Sequence, residues 1–298
     1  MLNRLSGPFL VLIAALLWGT DALFRFPTSA TLDPTFIVFC EHLCGILILT
    51  PWVLSRQRPQ LFKLGFKGWF ASFITGAGGG AIATVLFTAS FRYINPSIAI
   101  LLQKLQPIFV VLLAYAFLGE RPARKFYPWA LVALAAGFLL SFPDLDVSFL
   151  RERGNRHALG VIYALSACAV WGISTVAGRS LLTRTGAGVA TFWRYFFGFI
   201  TLVSILWIAH IPTRFGTVFS SHETMVALAY LSVVSGVIPM FVYYAGMART
   251  PASVVTFIEL LYPVSAVLLN TIFLHTPLSP TQLGAGGALL FAVTMISV

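Results

Sequence analysis

Five ionisable side chains lie inside otherwise apolar runs of this chain: Asp21, Glu41, Lys104, Arg194 and Glu259. A basic or Asp side chain at the centre of a bilayer costs about 2.5–3.5 kcal/mol on the insertion scale, so these residues must pair, face water, or do both. As buried pairs they would lock helices together. Facing water they would line a path for a polar solute. Three carboxylates and two cations leave neither sign dominant, which suits a zwitterion carrying both an ammonium and a carboxylate. Aromatic residues in the same runs are candidate cavity walls: Trp18, Trp171, Trp193, Tyr243, Tyr244 and Tyr262. Such rings hold an apolar side chain by stacking and an ammonium by cation–π contact. Trp18 has the strongest claim, because it is near mid-depth and one turn from Asp21.

Ten apolar runs must position these residues, at about 8–26, 34–54, 69–91, 97–118, 126–143, 158–180, 188–209, 224–246, 253–274 and 281–298. The 298 residues are 58% hydrophobic and 9% charged, against roughly a quarter charged in soluble domains. Hydrocarbon cannot satisfy a bare backbone, so runs of this length cross a bilayer as helices. The expected fold is an all-α membrane protein of ten transmembrane helices. The connections are short, leaving no room for a soluble domain between spans. The flank Met1 to Ser6 holds one Arg and the first run leads into Thr20-Asp21, so that run reads as a span rather than a cleaved leader.

Depth sorts the charges. At 1.5 Å per residue, Asp21, Glu41 and Lys104 lie roughly 10 Å from the outer face, and Arg194 and Glu259 roughly 9 Å from the inner face. Lys104 is therefore expected to pair with Asp21 or Glu41, and Arg194 with Glu259. Arg25, four residues after Asp21, reads first as an interfacial anchor that snorkels and second as a gate residue. His42 reads as a hydrogen-bonded core histidine. Pro107 and Pro263 fall ten residues into their spans and should bend them, either as hinges that free carbonyls for substrate or as fixed kinks. Gly76 and Gly80 make a small-x-x-x-small face for close helix approach, and Gly284, Gly286 and Gly287 point to a second such contact. Cys40, Cys44 and Cys168 read as packing residues.

The chain is written twice. Leu12, Ala14, Trp18 and Gly19 match Leu165, Ala167, Trp171 and Gly172 at an offset of 153, as does Gly45 with Gly198. Ser97, Gln103 and Pro107 match Ser253, Glu259 and Pro263 at an offset of 156. The expected units are 1–150 and 151–298, with five spans each. An odd number per unit inverts the second copy, the plan by which many secondary transporters achieve alternating access.

The five-plus-five plan, Leu17-Trp18-Gly19 in span one, and Pro107 followed by an apolar run into Leu118-Gly119-Glu120-Arg121 resemble the drug/metabolite transporter superfamily, EamA type. The resemblance covers the whole chain and implies a ten-helix exporter of small metabolites, and the subgroup it suggests is the YddG-type amino-acid exporters. Two departures stand out. His275-Thr276 occupies the place of Gly119-Glu120 in the second half, and span two carries Glu41-His42 where a basic residue is expected, as Arg194 supplies in span seven.

The net charge of +10 fits loop placement better than a nucleic-acid partner. With an inside N-terminus, eleven basic residues (Arg4, Arg56, Arg58, Lys63, Lys67, Arg121, Arg124, Lys125, Arg179, Arg184, Arg249) fall inside and six (Arg25, Arg92, Arg151, Arg153, Arg156, Arg214) outside. Both termini are then cytoplasmic. Asn95-Pro96-Ser97 is blocked as a glycosylation acceptor by its proline, which fits a bacterial cytoplasmic (inner) membrane. No H-E-x-x-H, G-x-S-x-G or P-loop appears, so an enzyme, a cofactor and a metal are not expected. The function expected is export of small metabolites, foremost amino acids, by alternating access. Partners are a small-molecule substrate, the lipid bilayer and protons as a candidate coupling ion. A multidrug or organic-cation exporter, a passive channel and a membrane-embedded transferase are the alternatives.

Overall fold

The protein is described by a computed structural model covering residues 2–94, 96–141, 144–145, 155–262 and 279–297. Among these residues it is all helix. Seven helices are long and apolar enough to cross a membrane: α1 Ser6–Thr31, α2 Pro34–Arg56, α3 Gly65–Ser90, α6 Arg156–Leu182, α7 Ala187–Ile208, α8 His222–Met247 and α10 Pro280–Ser297. Three are shorter. α4 runs in two pieces, Pro96–Gln103 and Gln106–Leu118, α5 spans Phe126–Ser141, and α9 spans Ala252–Leu261. These ten elements match the ten apolar runs. α1 extends past residue 26 to Thr31, and α3 begins at Gly65 rather than 69. Pro263, His275 and Thr276 lie outside the described residues.

The outer surface is apolar, as a bilayer requires. Phe66, Phe117, Phe219 and Trp207 are each at least three-quarters exposed, which in water would be a large unsatisfied apolar surface.

Packing follows the repeat. α2 packs on α7, α4 on α9, and α5 on α10, each helix against its own counterpart. α1 packs on α8 while α3 packs on α6. Exchanging the two halves converts one of these last contacts into the other, so the set is that of a two-fold pseudo-symmetric molecule.

Glycines set the closest approaches. A Cβ on Gly76 would lie 2.6 Å from the carbonyl oxygen of Arg194, and one on Gly80 2.9 Å from His42 Nε2. The small face of α3 does pack tightly, against α7 and α2. The repeat pair Gly45 and Gly198 shows why α2 and α7 cross so closely. Gly45 receives the ring of Tyr195 and Gly198 the ring of His42, and the two rings lie 5.0 Å apart. His42 and Tyr195 are themselves related by the offset of 153, so the two residues of each pair exchange places across the pseudo-axis. The glycines of α10 behave differently. Gly284 and Gly287 have nothing within 4 Å, and Gly286 has only Leu140 at an ordinary 3.8 Å. The α5–α10 contact is made instead by Ala133, Ala136 and Leu140 in the same core as Ala285, Leu289 and Ala292. The expected glycine contact there is therefore corrected to an alanine and leucine seam.

Candidate functional site

Helix irregularities gather around one internal cavity. α1 is broken at Gly19-Thr20, immediately before Asp21. α4 breaks at Lys104-Leu105, and α9 tightens to a 3₁₀ turn over Glu259–Leu261. Pro107 sits in the first turn of the second piece of α4, where its missing N–H costs nothing. α3 and α8 each contain a π-helical stretch, Ile74–Ile82 and Val233–Val237. Such stretches free carbonyls and re-aim side chains. Since α3 and α8 are repeat counterparts, these two stretches obey the same pseudo-symmetry as the packing, whereas α6 runs unbroken where its counterpart α1 breaks.

The cavity encloses about 200 Å³ and draws on both halves. Trp18, Asp21, Glu41, Lys104, Trp171, Arg194, Glu259, Tyr262 and Pro107 all line it. The five intramembrane charges therefore share one cavity, which corrects their expected division into outer and inner clusters. Depth along straight helices could not register the break of α4 at Lys104-Leu105 or the tightening of α9 at Glu259.

The pairing is corrected as well. Arg25 is buried, not snorkelling, and it takes both carboxylates of the first half. Its Nε and NH2 donate to Asp21, the latter at 2.7 Å. NH1 and NH2 donate to Glu41 Oε1 and Oε2 at 2.8 and 3.2 Å, and NH1 to Thr88 Oγ1 at 3.2 Å. A guanidinium has five N–H donors, and all five are used. Asp21 also accepts from Ser235 Oγ at 2.7 Å, from the π stretch of α8.

In the second half, Arg194 does not pair with Glu259. Its NH1 donates to the carbonyl of Thr75 and to Ser174 Oγ, each at 3.0 Å. Glu259 accepts from Tyr243 OH at 2.6 Å and from Gln106 Nε2 at 3.2 Å. Lys104 pairs with neither Asp21 nor Glu41. It is buried, its Nζ lies 5.3 Å from the centre of the Tyr262 ring, and it has no hydrogen-bond partner among the described residues.

The two polar nodes are counterparts. At the offset of 153, Glu41 becomes Arg194 and Asp21 becomes Ser174. The first node reaches α8 through Ser235, and the second reaches α3 through Thr75. Evolution of the two halves has thus placed an ion cluster at one position and a single arginine at its mirror.

The aromatic walls divide. Trp18 lies 5.0 Å from Tyr243 and Trp171 5.2 Å from Phe87, and all four line the cavity with Tyr244 and Tyr262. Trp171 is fixed by donation from Nε1 to the carbonyl of Gly79 at 3.0 Å, within the π stretch of α3. Trp193 is corrected: it donates to the carbonyl of Leu61 and packs edge-to-face with Trp69 and Phe192, away from the cavity. His42 is a satisfied core histidine, its Nδ1 2.9 Å from the carbonyl of Val38. Sequence reasoning missed Arg25, Gln106, Ser174 and Ser235 as members of the site. For Gln106 a signal existed, since Gln103 and Gln106 flank Lys104 in an apolar run. For the serines there was none.

A doubly repeated, inverted bundle with a polar and aromatic cavity between its halves is a membrane transporter. The chain belongs to the EamA-like transporter family, whose model matches residues 5–142 and 158–298. It is 28% identical to the riboflavin transporter ImpX of Fusobacterium nucleatum, over 99% of this chain and 98% of that protein. It is 24% identical to protein PecM of Dickeya dadantii, over 95% and 89%. A solved crystal structure superposes with a TM-score of 0.78 at 18% identity, covering 97% of this chain and 96% of its own, a likeness of fold alone.

Proposed function

We propose that the protein is an alternating-access carrier that exports a small metabolite bearing a flat ring and polar substituents, of the riboflavin kind. The observation that carries this reading is the wall of Trp18, Phe87, Trp171, Tyr243 and Tyr262. Asp21 and Glu41 are engaged by Arg25, so the cavity pairs stacking faces with the remaining polar groups of Lys104, Gln106, Arg194 and Glu259. The similarity to a protein named a riboflavin transporter, over nearly the full length of both chains, supports the same class. Lys104, Trp18, Trp171, Glu259 and Tyr262 are the proposed substrate contacts, Pro107 and Pro263 the proposed hinges, and 1–150 and 151–298 the two moving units.

Amino-acid export is the second reading. Lys104 Nζ, without a hydrogen-bond partner among the described residues, would meet a carboxylate, and about 200 Å³ is below the roughly 300–1,000 Å³ usual for drug-sized ligands. Counterflow in proteoliposomes decides between them. Labelled riboflavin, methionine, threonine and phenylalanine are each competed with unlabelled flavin, amino acids and a quaternary ammonium. Saturable exchange of riboflavin, lowered at least about tenfold by Trp18→Ala through lost stacking, is the expected result. Competition by amino acids alone would select the second reading. Competition by the quaternary ammonium alone would select organic-cation export, and non-saturating flux a channel.

We propose that both termini lie in the cytoplasm, with the protein in a bacterial inner membrane. Arg25 is buried in the cavity wall and drops out of the outer loops, so the basic bias of eleven to six becomes eleven to five. Single cysteines at positions 57 and 155, in a background lacking Cys40, Cys44 and Cys168, test this. An impermeant external reagent should label 155 and spare 57. The reverse pattern inverts the orientation.

A further inference from the structure

The cluster of Asp21, Arg25 and Glu41 contains one cation and two carboxylates. Arg25 is 4% exposed and Glu41 6%, so the uncompensated negative charge sits in a medium where an unpaired ion costs several kcal/mol. Other groups near the cluster do not neutralise it. Among those that sense Glu41 or Arg25 are Cys40 and His42 on α2 and Tyr195 on α7, and Tyr262 beyond α9 senses Asp21. Arg194 makes no ion pair with either carboxylate and is engaged with Thr75 and Ser174. Lys104 is turned to the Tyr262 ring. The cluster therefore has room for one more positive charge.

We propose that this charge is a proton, held by one or other carboxylate of the Arg25 cluster, and that the cluster is the site at which proton movement is coupled to transport. The inference rests on the carrier reading above. A proton fits better than a metal cation. All four carboxylate oxygens already accept an N–H of Arg25, so no oxygen cage is left open for sodium, whereas a proton needs a single lone pair. The site reaches both moving halves. Asp21, Arg25 and Glu41 belong to the first, and Ser235, which donates to Asp21 at 2.7 Å, belongs to the second. Addition of a proton to Asp21 Oδ2 removes the acceptor that Ser235 uses, and loss of that proton restores it. The charge state thus acts on a contact between the halves. Asp21 is also one turn from Trp18 on the cavity wall, so an arriving substrate and the proton act on the same stretch of α1.

Two measurements test the proposal. The first needs no substrate. Infrared difference spectra of the purified protein between neutral and acid pH should show a protonated-carboxyl C=O band. The band should be lost or shifted in Glu41→Gln and in Asp21→Asn and should persist in Glu259→Gln. A wild-type band that is absent, constant across pH, or removed only by Glu259→Gln would overturn the site. The second uses proteoliposomes and the substrate that exchanges in counterflow. One pH unit across the membrane should drive up to about tenfold accumulation for one proton per cycle. In Glu41→Gln the ratio of gradient-driven to gradient-free flux should fall to one, whatever its absolute rate. Wild-type counterflow without any response to the gradient, or with a response to sodium instead, would overturn coupling. Failure of counterflow for every substrate would overturn the carrier reading, and the infrared result would then decide the proton site by itself.

Discussion

Replacing Arg25 with methionine should be the most damaging single substitution in the cavity wall, at about 3–5 kcal/mol of folding stability. The side chain is the cation that Asp21 and Glu41 contact, through four of its five donors. Its removal leaves the buried Glu41 and the half-buried Asp21 without a cation, with only Ser235 and neighbouring dipoles for support. Methionine preserves most of the volume, so the loss measures charge rather than a cavity. Adding Asp21→Asn and Glu41→Gln to Arg25→Met should recover more than half of the loss, because a neutral cluster no longer needs the cation. Strict additivity of the three substitutions would mean that the cluster does not act as a unit. Thermal unfolding in detergent, with fluorescence and light scattering read together, is the measurement.

The fate of Arg25 shows what the sequence could and could not carry. Ten helices, their inversion and the membrane setting follow from hydropathy, span number and a constant offset, since each is a property of whole segments. Charge partners are not. Arg25 was near the end of an apolar run ending at about residue 26, and an arginine there reads as snorkelling. The run in fact continues as helix to Thr31, which places Arg25 inside, one turn from Asp21 and against Glu41. The pairing of Lys104 and of Arg194 failed for a related reason. Depth counted along unbroken helices cannot see a break at Lys104-Leu105 or a 3₁₀ turn at Glu259. The departure at Glu41, where a basic residue was expected, was legible as a departure. Its meaning required the fold: Glu41 and Arg194 occupy mirror positions, and Arg25 supplies the cation that Glu41 and Asp21 contact. Ser174 and Ser235 carried no signal, because a serine in a membrane helix is ordinary until a π-helical stretch aims it.

Glu120 shows the opposite case, a motif recognised in the sequence whose physical role the structure explains. Its carboxylate accepts from the backbone N–H groups of Ala252 at 2.8 Å and Ser253 at 2.9 Å, and from Ser253 Oγ at 2.7 Å. These amides belong to the first turn of α9, where N–H groups have no partner within the helix and the dipole favours a negative charge. The end of α4 thereby caps the start of α9, joining the two halves at one face. Gly119 makes the geometry possible. Its φ of 67° is a left-handed turn that other L residues adopt only at a cost of roughly 1–2 kcal/mol, and it reverses the chain so that Glu120 points back toward α9. Glu120→Ala should therefore cost about 2 kcal/mol, the upper end for a helix cap because the bonds are charge-assisted and bridge two segments. Glu120→Gln should cost less than Glu120→Ala, since an amide oxygen still accepts but its NH₂ faces other donors. The local signature is hydrogen exchange at Ala252 and Ser253, which should quicken by at least about tenfold in Glu120→Ala, while the α2–α7 crossing around Gly45 and Gly198 keeps its protection. Unchanged exchange at those two amides would show that the cap is not closed in the protein in solution. Uniform loss of protection across the bundle would instead make Glu120 a residue of general stability rather than a tie between α4 and α9.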